Sequence, residues 1–407
     1  MIEADIIIIG GGAAGFFTAI NAAERNPKLR VVLLERGKEV LTKVKISGGG
    51  RCNVTHAEFV PKELSRNYPR GEKELLGPFH SFMTGDTIDW FEKRGIPLKI
   101  EEDGRMFPVS DSSQTIIDLF ISETQRLGVD ISRGHSVKSI LRKDDLWVVG
   151  TSEGDFQAEK IVVATGSNPK IWKLLEGLGH EVIPAVPSLF TFNIKDGRIL
   201  DLPGIATEAS VKVVDSKGKV QLESEGPLLI THWGMSGPAI LKLSAWGARV
   251  LEPTNYHFSI KVNWLLDVSE EEALENLLIF KINNAKQTIF KYTQFDLPKR
   301  LWQSLVKAAG IEATETWADI SKKKLQNLAN QIVSSHFDVK GKSTFKEEFV
   351  TAGGVDLKEV NFKTFESKIQ KNLYFAGEVL NIDAITGGFN FQNAWTGGYL
   401  VAQALVN

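Results

Sequence analysis

An α/β fold is what this sequence predicts, with a parallel sheet built from both ends of the chain and a segment of different character between them. Three observations predict it. Near the N-terminus an apolar run, Ile6 to Ile9, passes straight into glycines at 10, 12 and 15, as in a strand buried on both faces that ends in a tight turn. Between Phe190 and Trp264 apolar and polar residues alternate, as in half-buried antiparallel strands. From Leu373 the opening style returns, with a buried run to Ala376, then Gly377, Gly387 and Gly388 and a helical pattern.

In the first unit Ala13, Phe16, Phe17, Ile20 and Ala23 fall at helical spacing, and Val31 to Leu34 forms a second buried strand ending at Glu35. Strand, glycine turn, helix and strand in that order make a Rossmann-type dinucleotide-binding unit. A pyrophosphate has to approach the backbone closely, so Gly10 and Gly12 carry no side chain, while Gly15 lets helix and strand pack. Free N–H groups at the helix start face the phosphates. Glu35, twenty residues beyond Gly15, stands where a carboxylate accepts hydrogen bonds from the adenosine ribose. The pattern by itself serves NAD and FAD equally.

Lys43 to His56 reads as a glycine-dense loop. Gly48, Gly49 and Gly50 let the backbone bend around a ligand, Lys45 and Arg51 suit phosphate, and Ser47 and Asn53 suit hydrogen bonding. Cys52 is a candidate redox thiol, although a cysteine without a partner is more often a small packed residue. A helix over Gly85 to Arg94 leads to a hairpin around Leu98 and Ile100, turning at Asp103-Gly104 and carrying Arg105 and Phe107 outward. Arg105 is read as a surface arginine before an anion-binding one. A helix from Thr115 to Leu127, a strand at Val129 to Ile131 and an antiparallel pair, His135 to Ile140 with Leu146 to Gly150, follow. Lys160 to Ala164 is a further buried strand, and Thr165-Gly166 ends it at the carboxyl edge of the sheet, where ligands of open α/β sheets collect.

The middle segment carries strands around Phe190 to Ile194, Val211 to Val213 and Val220 to Leu222. Ile230 ends a strand, Pro238 opens a helix, and His232 lies on the loop between them. A histidine there suits proton transfer near neutral pH, or simple capping. Ser269 and Glu272 have capping-box spacing before a helix that turns Leu274, Leu277 and Leu278 inward, and Pro298 to Ala309 and Lys322 to Val333 add two more. Lys322 to Lys324 read as a solvated face, and Trp302 and Trp317 as core. In the last block Gly377-Glu378 closes the strand, and a helix runs from about Phe391 to Leu405. Gly397 and Gly398 inside that helix each cost about 1 kcal/mol against alanine, which close packing on strand or cofactor would explain. A second glycine-led helix start, near Asn390, favours FAD over NAD, because a flavin must also be stabilised where negative charge develops on reduction.

Composition narrows the function classes. The 407 residues allow two or three domains, and 48 basic against 50 acidic side chains leave a formal charge of -2, with no global attraction to nucleic acid or anionic membrane. Cys52 is the only cysteine, which excludes an internal disulfide, a CxxC redox pair and a cysteine-based metal cluster. No metal centre is expected. The first apolar run is too short for a signal-peptide core or a membrane span, so a cytoplasmic protein is expected.

With these residues assembled, the sequence resembles the bacterial flavoprotein family of NAD(P)/FAD-dependent oxidoreductases, also described as aminoacetone-oxidase-family FAD-binding enzymes. The resemblance runs nearly end to end and is most specific at SGGGRCNVT (Ser47 to Thr55), THWGMSGP (Thr231 to Pro238), VTAGGV (Val350 to Val355) and LYFAGEVLNIDAITGGFNFQNAW (Leu373 to Trp395). It implies a glutathione-reductase-like FAD domain with an inserted antiparallel β-barrel and helical domain, divided as 1–188, 189–266, 267–345 and 346–407. It implies FAD contacts at Gly10, Gly12, Gly15, Glu35, Arg36, Gly50, Arg51, Val137, Gly166, Gly377, Glu378, Gly388 and Asn390. Ala14, Lys45, Ser47, Gly49, Cys52, Ala164, Thr165, Asp383 and Phe389 complete the candidate cofactor set. Where such proteins commonly read GEVLDVDG, this chain has Asn381 and Ala384 but keeps Asp383.

The expected function is an FAD-dependent oxidoreductase passing hydride between flavin N5 and a small organic substrate, with His232, Arg51 and Cys52 as candidate catalytic residues. No second GxGxxG follows a later strand, so NAD(P)H is expected only as a transient electron donor, with oxygen an alternative acceptor. A flavin-containing protein that modifies tRNA or other nucleic acid is the alternative; near-neutral charge argues against a nucleic-acid partner. A non-catalytic flavin-bound sensor is the third reading. Oligomeric state is left open.

Overall fold

The computed structural model describes residues 1–343 and 350–406. The chain divides into two compact units, Met1–Val186 with Val350–Asn407, and Pro187–Phe349.

In the first unit the strand Ile2–Ile9 pairs in parallel with Val31–Glu35 on one side and Gly154–Val163 on the other. Asp130–Arg133 extends the sheet beyond Val31–Glu35, and Leu373–Phe375 joins beside Gly154–Val163, all parallel. The strand from the far end of the chain therefore sits two places from the first strand, with Gly154–Val163 between them. Ile6 to Ile9 are all at most 2% exposed. Successive strand residues point to opposite faces, so both faces are covered, as the unbroken apolar run requires. Because the strands are parallel, Ile9, Glu35, Arg133, Val163 and Phe375 all end at one edge.

The helix Ala13–Arg25 leaves that edge directly, and the C-terminal helix Phe389–Val406, which starts two residues before the sequence reading placed it, packs across it. A Cβ on Gly398 would lie 3.1 Å from Thr18 Oγ1 and 3.2 Å from Ala14 O, and one on Gly397 3.4 Å from the Phe365 ring. Gly398 thus allows near backbone contact between the two helices, while Gly397 faces a ring outside them.

Two expectations in this unit change. The stretch Lys43 to His56 is not loop throughout: Thr42–Gly50 is helical with a break at Ser47 to Gly49, where Gly48 and Gly49 have φ of +56° and +68°. Phe107, read as outward, is fully buried. Its ring would meet a Cβ on Gly48 at 2.9 Å, so it fills the space under the glycine break. The expected hairpin forms from Leu98–Ile100 and Arg105–Pro108, and Thr55–His56 adds a third strand to it.

The second unit is a seven-stranded antiparallel sheet in the order Ser335–Lys340, His257–Asn263, Ala206–Val214, Val220–Thr231, Gly234–Ser236, Thr191–Asn193, Lys342–Ser343. The two edge strands are consecutive in sequence and meet at Gly341, whose N–H donates to Tyr256 O (2.8 Å) and whose carbonyl accepts from Asn193 N (3.0 Å). The sheet so curls into a barrel. Val211, Ile230 and Ile260 share one core with Leu277, Trp302, Trp317, Leu325 and Ile332. The expected boundary between residues 266 and 267 falls inside that single core, and the one between 345 and 346 lies outside the described residues. The helix Glu270–Asn283 begins with the expected capping box, Ser269 N donating to Glu272 Oε2 at 2.8 Å. Leu278, read as inward, is 37% exposed.

Candidate functional site

At the carboxyl edge of the first unit's sheet the chain makes a backbone-lined path. Gly10 has φ of +115°, and a Cβ there would fall 2.4 Å from Ala164 O; one on Gly15 would fall 2.0 Å from Gly10 O. These two positions admit only glycine, because the turn, the helix and the neighbouring strand touch through bare backbone. Gly12 differs. It caps the first helix with no side-chain hydrogen bond, and a Cβ there would meet nothing within 4 Å. Space and unsatisfied helix N–H groups coincide at that point, the arrangement that binds phosphate. Glu35 accepts from Gly11 N (2.9 Å, Oε2) and Gly37 N (2.7 Å, Oε1) at the end of its strand. The neighbouring Arg36 is exposed and Val137 is half-buried at the start of its strand.

The second side of the path is the broken helix. Ser47 Oγ donates to Val44 O (2.8 Å), Lys45 is exposed, and Gly49 and Gly50 are at positive φ with open space where a Cβ would be. The third side comes from the C-terminal block. Gly377, at φ of +75°, would place a Cβ 3.1 Å from the Ala14 methyl, and Ala14 and Ala164 are both buried. Glu378 reaches Lys43 Nζ at 2.7 Å across 335 positions of sequence, and Gly166 lies below that pair, a Cβ there being 3.6 Å from Glu378 Oε2. Thr165 sits beside it, half-buried. Gly388 would set a Cβ 2.5 Å from Thr55 O. Asn53 bridges the two segments, donating to Thr55 O (3.0 Å) and accepting from Gly388 N (3.0 Å) in the amide orientation that satisfies its neighbours. Beneath the helix start, Gln392 Oε1 accepts from Thr55 Oγ1 (2.6 Å) and Thr87 Oγ1 (3.0 Å), and Tyr68 OH donates to Phe389 O (2.6 Å). Burial pushes the Tyr68 phenol well up, so it stays a donor.

Cys52 and Asp383 do not fit the roles read for them. Cys52 is fully buried, and burial pushes its thiol up to about 12, with a weaker opposing hydrogen bond to Ser47. A neutral, inaccessible thiol is neither nucleophile nor cofactor contact. Asp383 is likewise fully buried and paired with Arg70 through both oxygens, so its carboxylate holds the fold. Arg51 meets Glu101 at 2.5 Å and Asp111 at 3.5 Å and lies 3.9 Å over the Phe107 ring. The Glu101 hydrogen bond raises its pKa further, so it cannot release a proton. Asn390 closes its own loop, accepting from Ala384 N at 3.0 Å, and Phe389 is buried. His232 belongs to the second unit, exposed on the turn between Val220–Thr231 and Gly234–Ser236. The sequence reading passed over Lys43, Tyr68, His56 and Gln392. Lys43 and His56, the two ends of the glycine-dense stretch, carry a local signal.

The sequence matches the family described as HI0933-like protein Rossmann domain over residues 4–404. It is similar to two proteins named ribosomal RNA dihydrouridine synthase: one from Haemophilus influenzae, 30% identical across 98% of both chains, and one from Escherichia coli, 31% identical across 99% of this chain and 98% of the other. A 3-dehydro-bile acid delta(4,6)-reductase from Clostridium scindens is 27% identical across 98% of both chains.

Proposed function

From the premise that the chain belongs to the HI0933-like Rossmann family, we propose that it is an FAD-dependent oxidoreductase acting on a small organic substrate, with NAD(P)H as its electron donor. The observation that carries the reading is the single path from the Gly12 helix start to the Gly388 helix start, backbone-lined within one unit. FAD fits it on the donor chemistry: bare N–H groups and open space at Gly12 for pyrophosphate, a carboxylate at Glu35 for ribose, and a second helix start. FAD, when bound, supplies two-electron hydride chemistry at N5. The chain's part is to hold and aim. Glu35 and the first helix would anchor the nucleotide end, Glu378 and Gly377 would flank the middle, and the open space at Gly49 and Gly50 would admit the ring. The N-terminus of the C-terminal helix places partial positive charge where negative charge develops on reduction.

The names of the relatives refine the substrate class. Dihydrouridine formation and bile-acid Δ4,6 reduction both add hydrogen across a carbon–carbon double bond conjugated with a carbonyl, and that bond type is proposed here. A small enone is the first reading, given the formal charge of -2. A uracil ring within RNA is the second, favoured by the 30% and 31% identity to the two synthases. Anaerobic stopped-flow with NADH and NADPH tests the core of the reading. The flavin absorbance should bleach with one of them, and the reduced protein should be reoxidised by a cyclic enone or by a uridine-containing RNA, with dihydrouridine scored by mass spectrometry. Protein that releases no FAD on denaturation would refute it.

A further inference from the structure

The turn into the C-terminal helix is held by a side chain that no role yet described uses. His56 ends the short strand Thr55–His56, opposite Arg105. Its ring stacks on Phe389 with centroids 4.5 Å apart and planes at 27°. Nδ1 lies 3.1 Å from the Gly387 carbonyl oxygen. A carbonyl only accepts, so Nδ1 carries the hydrogen and donates. Gly387 and Gly388 both hold positive φ, +131° and +95°, and such a pair persists only where the surroundings fix it. The imidazole is seated closely: a Cβ on Gly387 would lie 3.3 Å from Nδ1, and one on Gly104 2.6 Å from Nε2. Asn53 accepts from Gly388 N, Thr55 O packs against Gly388, and His56 holds Gly387, so the short segment from 53 to 56 sets the direction of the helix that follows.

We infer that His56 is a positioning residue for the flavin: its Nδ1–H bond to Gly387 aims the N–H groups that open the C-terminal helix. Those groups favour the more negative, reduced flavin over the oxidised one only when they are aimed at it, because the partial charge of a helix start fades within a turn. The inference rests on the FAD reading above. It deepens that reading by naming the residue that sets the ratio of affinities for the two redox states.

Three substitutions separate donor from ring. His56→Phe keeps an aromatic ring beside Phe389 and removes the donor. His56→Asn sets an amide N–H near the place of Nδ1, and His56→Gln sets one near the place of Nε2. In the full-length, FAD-loaded protein the midpoint potential is read by equilibration with a reference dye. In the apo-protein, amide exchange is read at Gly388, Phe389 and Asn390. The Phe and Gln variants should shift the affinity ratio against reduced flavin by about tenfold, roughly 30 mV for a two-electron couple, and should speed exchange at those amides. The Asn variant should recover most of both. Unchanged potential and exchange in the Phe variant, or in the Gln variant should the Phe variant not fold, would overturn the inference, as would an equal shift in the Asn variant. Absence of FAD from the wild-type protein would overturn the flavin reading, while exchange in the apo-protein would still decide whether His56 holds the turn.

Discussion

Single side chains at this site are decided by burial and by their partners. Burial keeps the Cys52 thiol neutral up to about 12, against an ordinary 9.0. Iodoacetamide at pH 8 should therefore alkylate the native protein roughly a thousandfold more slowly than the unfolded one. The folded pKa is the raised one, so this group's contribution to stability is intact below pH 9 and is lost as pH climbs from 9 toward about 12; alkaline urea melts will read it. Glu35 is a carboxylate at the edge of the sheet with two backbone N–H groups on it. Glu35→Ala should weaken FAD binding about 10- to 100-fold, as expected for hydrogen bonds to a charged group worth roughly 1.5–3 kcal/mol, measured by fluorescence titration of apo-protein. Asp383→Ala removes one partner of a buried ion pair with Arg70. It should cost about 3–5 kcal/mol in urea unfolding, with no direct loss of cofactor contact.

At the scale of elements, the glycines sort into two kinds that the sequence displays identically. Gly15→Ala drives a methyl to 2.0 Å from Gly10 O and should prevent the helix from seating, visible as loss of cooperative melting. Gly12→Ala meets nothing within 4 Å at an ordinary extended conformation. It should melt like wild type, yet bind FAD at least about tenfold more weakly, because the methyl enters the space proposed for pyrophosphate. The C-terminal helix repeats the contrast. Gly397→Ala meets only the Phe365 ring at 3.4 Å and should be neutral or stabilising by up to about 1 kcal/mol through helix propensity. Gly398→Ala presses on Ala14 O and Thr18 at 3.1–3.2 Å and should destabilise by about 1–3 kcal/mol. The two substitutions lie one position apart, and only the second should destabilise.

For the whole molecule, the second unit is an excursion from a sheet that both chain ends complete. It leaves and returns through paired strands, Val182–Ser188 and Val350–Val355, where Gly353 lies against Ala185. Replacing residues 189–349 with a short glycine-serine linker should leave a folded protein that still retains FAD, judged by flavin absorbance after gel filtration; colourless protein would count against the path being confined to the first unit. The sequence by itself determined the strand–turn–helix order, the glycine positions, the capping box at Ser269 and the return of the parallel style at Leu373. Those signals come from backbone sterics and side-chain periodicity acting over a few residues. Only the tertiary structure decided that Cys52 is sealed, that Arg51 is met by Glu101 and Asp111, that Asp383 serves Arg70 and that Lys43 reaches Glu378. It likewise decided that strands and helices between Pro187 and Phe349 share one core. The physical reason is range: desolvation and charge pairing depend on neighbours that folding brings from 50 to 335 positions away, and no local pattern carries that information.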